Sequence, residues 1–329
     1  MTPRISDLLP GLKKNVLLAP YTTFKVGGKA KYFYQAKTKE NLIRSLKLAK
    51  KLKIPFFVLG GGSNLLISDK GFEGLIIKND IGNYKISGNK LYAEAGVSFP
   101  TLVKETGKKG LSGLEWAGGL PGTIGGAVLG NAGAFGGETK DTVFSAQALD
   151  TNLKLRNFTK QQCKFSYRSS IFKRKGWIVM SVIMNLKKGN KKDIQEIAAH
   201  HIQYRKDRNP MEYPNAGSIF KNCDLKNVSK KARRIFKDVV KVDPFPVIPT
   251  AAIIARTGLM GKKIGKAQIS EKHPNFIVNL GGAKARDIIR LMNFVKKTVK
   301  EKFGIDLESE VRYLGPGGLD KLSLNERIN

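Results

Sequence analysis

The sequence predicts an α+β protein. Segments of helical period stand among strand pairs, without the regular strand–helix alternation of a doubly wound sheet. Apolar runs bounded by glycine read as buried strands, and turn residues between alternating segments read as hairpins. Hydrophobic residues make up 41% of the 329, enough to fill substantial cores and too many for a disordered chain.

Taken in order, residues 39–53 place Leu42, Leu46, Ala49 and Leu52 near a 3.6-residue period, which predicts a surface amphipathic helix. The runs 55–60 and 75–78 are short buried strands. Residues 85–96 form a hairpin with Gly88-Asn89 at its turn, and 146–158 repeat the form around Asp150-Thr151-Asn152. A strand comes next at 177–186, then a helix at 191–206 with Ile194, Ile197 and Ile202 on one side. The strand 275–279 and the helix 283–303, striped by Met292, Val295, Val299 and Phe303, lead to a last strand at 307–315, where Glu308 and Glu310 share a face. The pattern breaks near 79–84 and again near 204–216, while residues 1–15 and 316–329 read as peripheral tails. No repeat of fixed period is present.

Lys and Arg number 59 against 26 Asp and Glu, so the formal net charge is +33. Such a field attracts anions of any kind. The basic residues are spread, with small clusters at 37–39, 50–53, 187–192 and 296–302, and no nucleic-acid-binding motif accompanies them. The charge therefore suits a phosphate-bearing substrate, and no nucleic-acid partner is expected. Two cysteines, Cys163 and Cys223, make neither a disulfide framework nor a paired-cysteine zinc site. No apolar run is long enough to span a bilayer and no secretory signal opens the chain, so a cytoplasmic protein without membrane insertion is expected.

Glycine carries the densest signal. Gly27-Gly28, Gly60-Gly61-Gly62-Ser63-Asn64 and the run from Gly118 to Glu138 can each turn successive N–H groups toward one anion. Known nucleotide patterns fail: Lys263 comes after Gly261-Lys262 where a P-loop needs Ser or Thr, no G-x-G-x-x-G opens a helix, and no G-x-S-x-G elbow is present. His200 and His201 are adjacent on a helix and diverge, so no metal site is expected. Arg168, Ser218 and Glu310 stand in unusual local sequence, but spacing alone does not select them over an exposed strand face or a simple turn.

Seven segments in order give the sequence its resemblance: TTFKVGG, VLGGGSNLL, LEWAGGLPGTIGGAVLGNAGAFGGE, CKFSYRSSIF, PNAGSIFKN, GKKIGKAQISEKHPNFIVN and LESEVRYLG. From about Tyr21 to Gly315 the chain resembles the UDP-N-acetylenolpyruvoylglucosamine reductase family. The resemblance implies a vanillyl-alcohol-oxidase/PCMH-type FAD-binding fold of two α+β subdomains, plus a separate α+β substrate-binding domain. The expected division is 1–80 for the first FAD subdomain, with 305–329 packing back on it, 81–204 for the second, and 205–304 for the substrate domain.

By the same resemblance, FAD is bound non-covalently and NADPH is a co-substrate. The cofactor residues would be Gly27, Gly28, Gly60, Gly61, Gly62, Ser63, Asn64, Pro121, Gly122, Thr123, Gly125, Gly126, Ala127, Asn131 and Gly133. Arg168 would offset charge at the substrate carboxylate, Ser218 would supply a proton, and Glu310 would polarise the intermediate or relay protons. Tyr167, Arg208, Asn222 and His273 would meet the sugar nucleotide, with capping of the Ser270–Pro274 turn as the other reading of His273. The short Arg168–Ser218 spacing lacks the insertion that carries a closing tyrosine in one branch of the family, leaving Tyr213 as a stand-in. Ala255-Arg256 occupies a place where relatives often carry an acid. A monomer reducing UDP-N-acetylglucosamine enolpyruvate is the expectation. An FAD-dependent oxidase of the same fold, or a basic nucleic-acid-binding protein, are the alternatives.

Overall fold

The computed structural model describes residues 5–242 and 245–320. The chain separates into two compact units. One holds the described residues up to Val16, Ala30–Gly61 and Glu73–Arg205; the other holds Leu17–Lys29, Gly62–Phe72 and the described residues from Lys206 onward. The first eighty residues, expected as one subdomain, are thus shared between the units. Strand pairing gives the reason, because Leu65–Ile67 runs parallel to Arg312–Gly315 and not beside the other early strands. Residues 321–329, expected to pack back with 305–320, lie outside the described residues.

Two cores fill the first unit. The Lys39–Lys51 helix starts where the Thr38 hydroxyl accepts the Asn41 N–H at 3.2 Å, and it buries Leu42, Leu46 and Ala49. Those side chains pack on Tyr34, Leu75 and Ile77 of a four-stranded sheet ordered Lys13–Leu17, Lys29–Ala36, Phe72–Asn79, Phe56–Leu59. Ile5 and Leu9 are buried in this core, so the described part of the N-terminal stretch expected as a tail belongs to the fold. The second core lies on a five-stranded antiparallel sheet, ordered Leu155–Thr159, Val143–Leu149, Ile178–Asn185, Lys90–Glu94, Tyr84–Ser87. Both expected hairpins are present. Gly88 takes a φ of +57° at the first turn, and the Asp150 carboxylate accepts the Asn152 and Lys154 N–H groups at the second.

The Lys191–Arg208 helix departs from the expected apolar face. Ile194 is buried, but Ile197 and Ile202 are exposed. Polar groups dock this helix instead: His201 Nδ1 lies 3.0 Å from the Glu115 carbonyl, and Arg205 Nε donates to the Gly118 carbonyl at 2.9 Å. A Cβ on Gly118 would lie 2.4 Å from the Ala198 carbonyl oxygen, so glycine is what lets the Glu115–Gly118 turn approach.

In the second unit the Ala285–Phe303 helix buries Ile288, Leu291, Met292, Val295 and Val299, ending at Gly304 with a φ of +68°. It packs in one core with Ala267, Ile269 and Ile277 of a small antiparallel sheet, and with Phe24, Val26 and Leu66 from the early segments. The strand expected at the end covers only Arg312–Gly315, and Gly318–Asp320, in the stretch expected as a tail, pairs antiparallel with it. Before it, the Glu310 and Val311 N–H groups both point to the Ile219 carbonyl, at 2.8 and 3.5 Å, so a bulge interrupts the strand expected at 307–315. At Ala255-Arg256, where the family pattern has an acid, Arg256 pairs with Asp238 and stacks 4.8 Å over Phe236.

Asp69 caps the long helix from more than two hundred residues away, its carboxylate accepting the Ala285 N–H at 2.8 Å and the Arg286 N–H at 3.1 Å. Asp69→Ala leaves both donors without a protein partner, and urea unfolding should register a loss of about 1 kcal/mol.

Candidate active site

In the first unit, the strand Phe56–Leu59 runs directly into Gly60-Gly61. An ideal Cβ on Gly61 would sit 2.7 Å from the Gly122 Cα, and one on Gly60 would sit 2.8 Å from the Thr123 hydroxyl. Two glycine loops therefore meet backbone to backbone. Thr123 caps the Ile124–Gly130 helix through the Gly126 N–H at 3.4 Å, and Gly125 approaches Ala95 so closely that a Cβ would stand 2.6 Å from the alanine methyl. Among the described residues, the N–H groups of Gly61, Gly122 and Thr123 find no hydrogen-bond acceptor. In the second unit the same holds for Gly62 and Asn64. Bare amide donors in glycine concavities are what a phosphate takes up, so each of the two groups by itself suits a phosphate of a dinucleotide cofactor.

Gly27 and Gly28 have a packing reason. A Cβ would stand 2.9 Å from Ile67 Cβ at the first and 2.2 Å from the Asp69 carbonyl oxygen at the second. The Gly28 N–H is already given to the Ser68 carbonyl at 2.8 Å.

Arg168 sits at the tip of a tight turn. Ser166 and Ser169 exchange two backbone hydrogen bonds of 3.0 Å, leaving Tyr167 and Arg168 between them. Arg168 takes a φ of +52°, a strained value for a residue with a side chain, of the kind that collects at functional sites. Its Nη2 donates to the Gly133 carbonyl at 2.9 Å, and its guanidinium lies 4.9 Å from the Tyr167 ring centre. Buried Asn131 braces the turn, its Nδ2 donating to the Ser166 carbonyl at 3.1 Å and its Oδ1 accepting the Lys140 N–H at 3.0 Å. The Ser170 hydroxyl donates to the Leu129 carbonyl, and the Lys173 ammonium donates to the Arg168 carbonyl. Sequence reasoning missed Ser170, whose partner lies 41 residues away, and Lys173, whose tie to the Arg168 carbonyl spans five residues and leaves no mark in the spacing.

The second unit brings Ser218, Asn64 and Glu310 near one another. Gly217, with a φ of +75°, precedes Ser218 in a turn fixed by Asn215, whose Oδ1 accepts the Gly217 N–H at 3.0 Å and whose Nδ2 donates to the Pro210 and Tyr213 carbonyls. Half-buried Ser218 offers a hydroxyl with no hydrogen bond among the described residues. The Glu310 N–H donates to the carbonyl of the next residue, Ile219, and Asn64 Nδ2 donates to the Glu310 carbonyl at 3.2 Å. Glu308, expected to share a face with Glu310, pairs instead with Lys221.

Asn222 Oδ1 accepts the Thr250 N–H at 3.2 Å, Arg208 ends its helix in solvent, and Tyr213 is exposed. His273 holds a turn: its Nδ1 accepts the Asn275 N–H at 3.3 Å and its own N–H goes to the Ser270 hydroxyl. Burial pushes the His273 imidazole below its usual 6.5. The unfolded chain thus binds the extra proton first as pH drops. The stability this neutral ring contributes is complete above 6.5 and is lost as pH falls through the lower folded value. Thermal melts taken downward from pH 6.5 should show this decline, and His273→Gln should flatten part of it.

A flavin-binding oxidoreductase is the class these features define: residues 30–158 match the family described as FAD binding domain. Residues 209–314 match the C-terminal domain of UDP-N-acetylenolpyruvoylglucosamine reductase. The chain is 40% identical over 301 residues to the UDP-N-acetylenolpyruvoylglucosamine reductase of Caldicellulosiruptor bescii, covering 91% of this chain and 89% of that protein. It is 38% identical over 296 residues to that of Caldanaerobacter subterraneus, covering 90% and 91%. The crystal structure of the Thermus caldophilus reductase superposes with a TM-score of 0.71 at 32% identity, over 91% of this chain and 97% of that one. The chain belongs to the UDP-N-acetylenolpyruvoylglucosamine reductase family.

Proposed function

We propose that this protein reduces UDP-N-acetylglucosamine enolpyruvate to UDP-N-acetylmuramate, a step of peptidoglycan synthesis, with NADPH as electron source. The observation that carries the reading is the Ser218 hydroxyl, without a hydrogen bond among the described residues and held beside the Glu310 segment, in a chain of this family. The glycine loops at 60–64 and 121–127 would hold FAD through bare amides, with no covalent link. When bound, FAD supplies two-electron hydride exchange between NADPH and the enolpyruvyl methylene carbon.

The chain's own residues handle charge and proton. Hydride addition drives negative charge into the substrate carboxylate and its neighbouring carbon. Arg168 offers a planar fork to those oxygens, and its bond to Gly133 and its braced turn fix it in advance. Ser218 delivers a proton to that carbon, and Glu310 either polarises the same centre or relays the proton. Arg208, Asn222 and His273 would receive the nucleotide end of the substrate.

The test is anaerobic. The yellow protein should bleach with NADPH and recover its colour on adding the enolpyruvyl sugar nucleotide. Recovery with oxygen alone, and none with the sugar nucleotide, would make it an oxidase.

A further inference from the structure

Among the described residues Ser218 makes no hydrogen bond that aims its hydroxyl, so the backbone just after it sets its place. Ile219 and Phe220, both buried, lie between two partners. On one side the Ile219 carbonyl accepts the Glu310 N–H at 2.8 Å. On the other stands Asn275, itself 3% exposed. Its carbonyl accepts the Ile219 N–H at 2.8 Å, its Oδ1 accepts the Phe220 N–H at 3.1 Å, and its Nδ2 donates to the Phe220 carbonyl at 2.8 Å. One carboxamide thus acts as a strand neighbour for Phe220, offering a donor and an acceptor at peptide spacing. Asparagine suits this place for a definite reason. Aspartate would set acceptor against acceptor, and an apolar residue would strand two buried backbone groups away from water. His273 fixes the other end by accepting the Asn275 N–H.

The geometry points to Asn275 as the positioning residue that holds Ser218 in register with Glu310 for proton delivery. It acts through the Ile219–Phe220 backbone and need not touch substrate. The inference rests on the function proposed above.

The experiment compares the wild-type holoenzyme with Asn275→Asp and Ser218→Ala, measuring the two half-reactions separately. Asn275→Asp should slow flavin reoxidation by the enolpyruvyl sugar nucleotide by about 10- to 100-fold, while flavin reduction by NADPH stays within about 2-fold. Amide exchange at Ile219 and Phe220 should quicken. Lowering the pH should restore part of the lost rate relative to wild type, because the protonated aspartic acid regains a donor for the Phe220 carbonyl. If Asn275→Asp does not fold, Asn275→Ser, whose shorter side chain loses both bonds but adds no charge and leaves room for water, carries the same test.

Equal slowing of both half-reactions overturns the positioning role, and so does quickened exchange with an unchanged second half-reaction. Should Ser218→Ala keep its full rate, the proton-donor reading fails first and takes this inference with it. A slow Ser218→Ala beside a fast Asn275→Asp overturns the inference alone.

Discussion

Ser218→Ala should leave reduction of the bound flavin by NADPH near its original rate and slow reoxidation by the enolpyruvyl sugar nucleotide about 10²- to 10⁴-fold, the range of a lost general acid. The fold gives no reason for a wider effect. Asn215 and Gly217 make the turn, and Ile219 and Phe220 anchor the chain beyond it, all without the hydroxyl. Anaerobic stopped-flow absorbance of the flavin tracks each half separately. Wild-type rates in both halves would remove Ser218 from the chemistry.

Arg168→Lys should lower turnover with the sugar nucleotide by about 10²- to 10³-fold, as for loss of one aimed donor at a developing oxyanion. A lysine supplies charge but no fork, and it cannot serve the Gly133 carbonyl and a carboxylate with the same planar geometry. Steady-state kinetics should place the loss mainly in kcat. A variant that only raised KM would point to uniform substrate binding.

Elements whose order arises within their own sequence were legible. The Ala285–Phe303 helix shows its buried stripe in a single period, and the Asp150 turn closes on its own side chain. The Lys191–Arg208 helix was legible as a helix but not in its docking, because His201 and Arg205 reach carbonyls some 86 residues away in sequence. The strand near Glu310 is shorter than its alternation suggests for a similar reason: the bulge depends on the Ile219 carbonyl. At the site, residue types pointed to chemistry only through family likeness. What spacing could not disclose is support. Asn131 looks like one more polar residue of a glycine loop until Ser166 and Lys140 are seen on either side of its carboxamide.

The chain passes between its two units five times, at Val16–Leu17, Lys29–Ala30, Gly61–Gly62, Phe72–Glu73 and Arg205–Lys206. A gene fragment beginning at residue 206 would omit Phe24, Val26 and Leu66, along with the parallel neighbour of Arg312–Gly315. The stretch from residue 206 is thus continuous in sequence but lacks part of the core it folds around. Anyone dissecting the protein should not cut at that border.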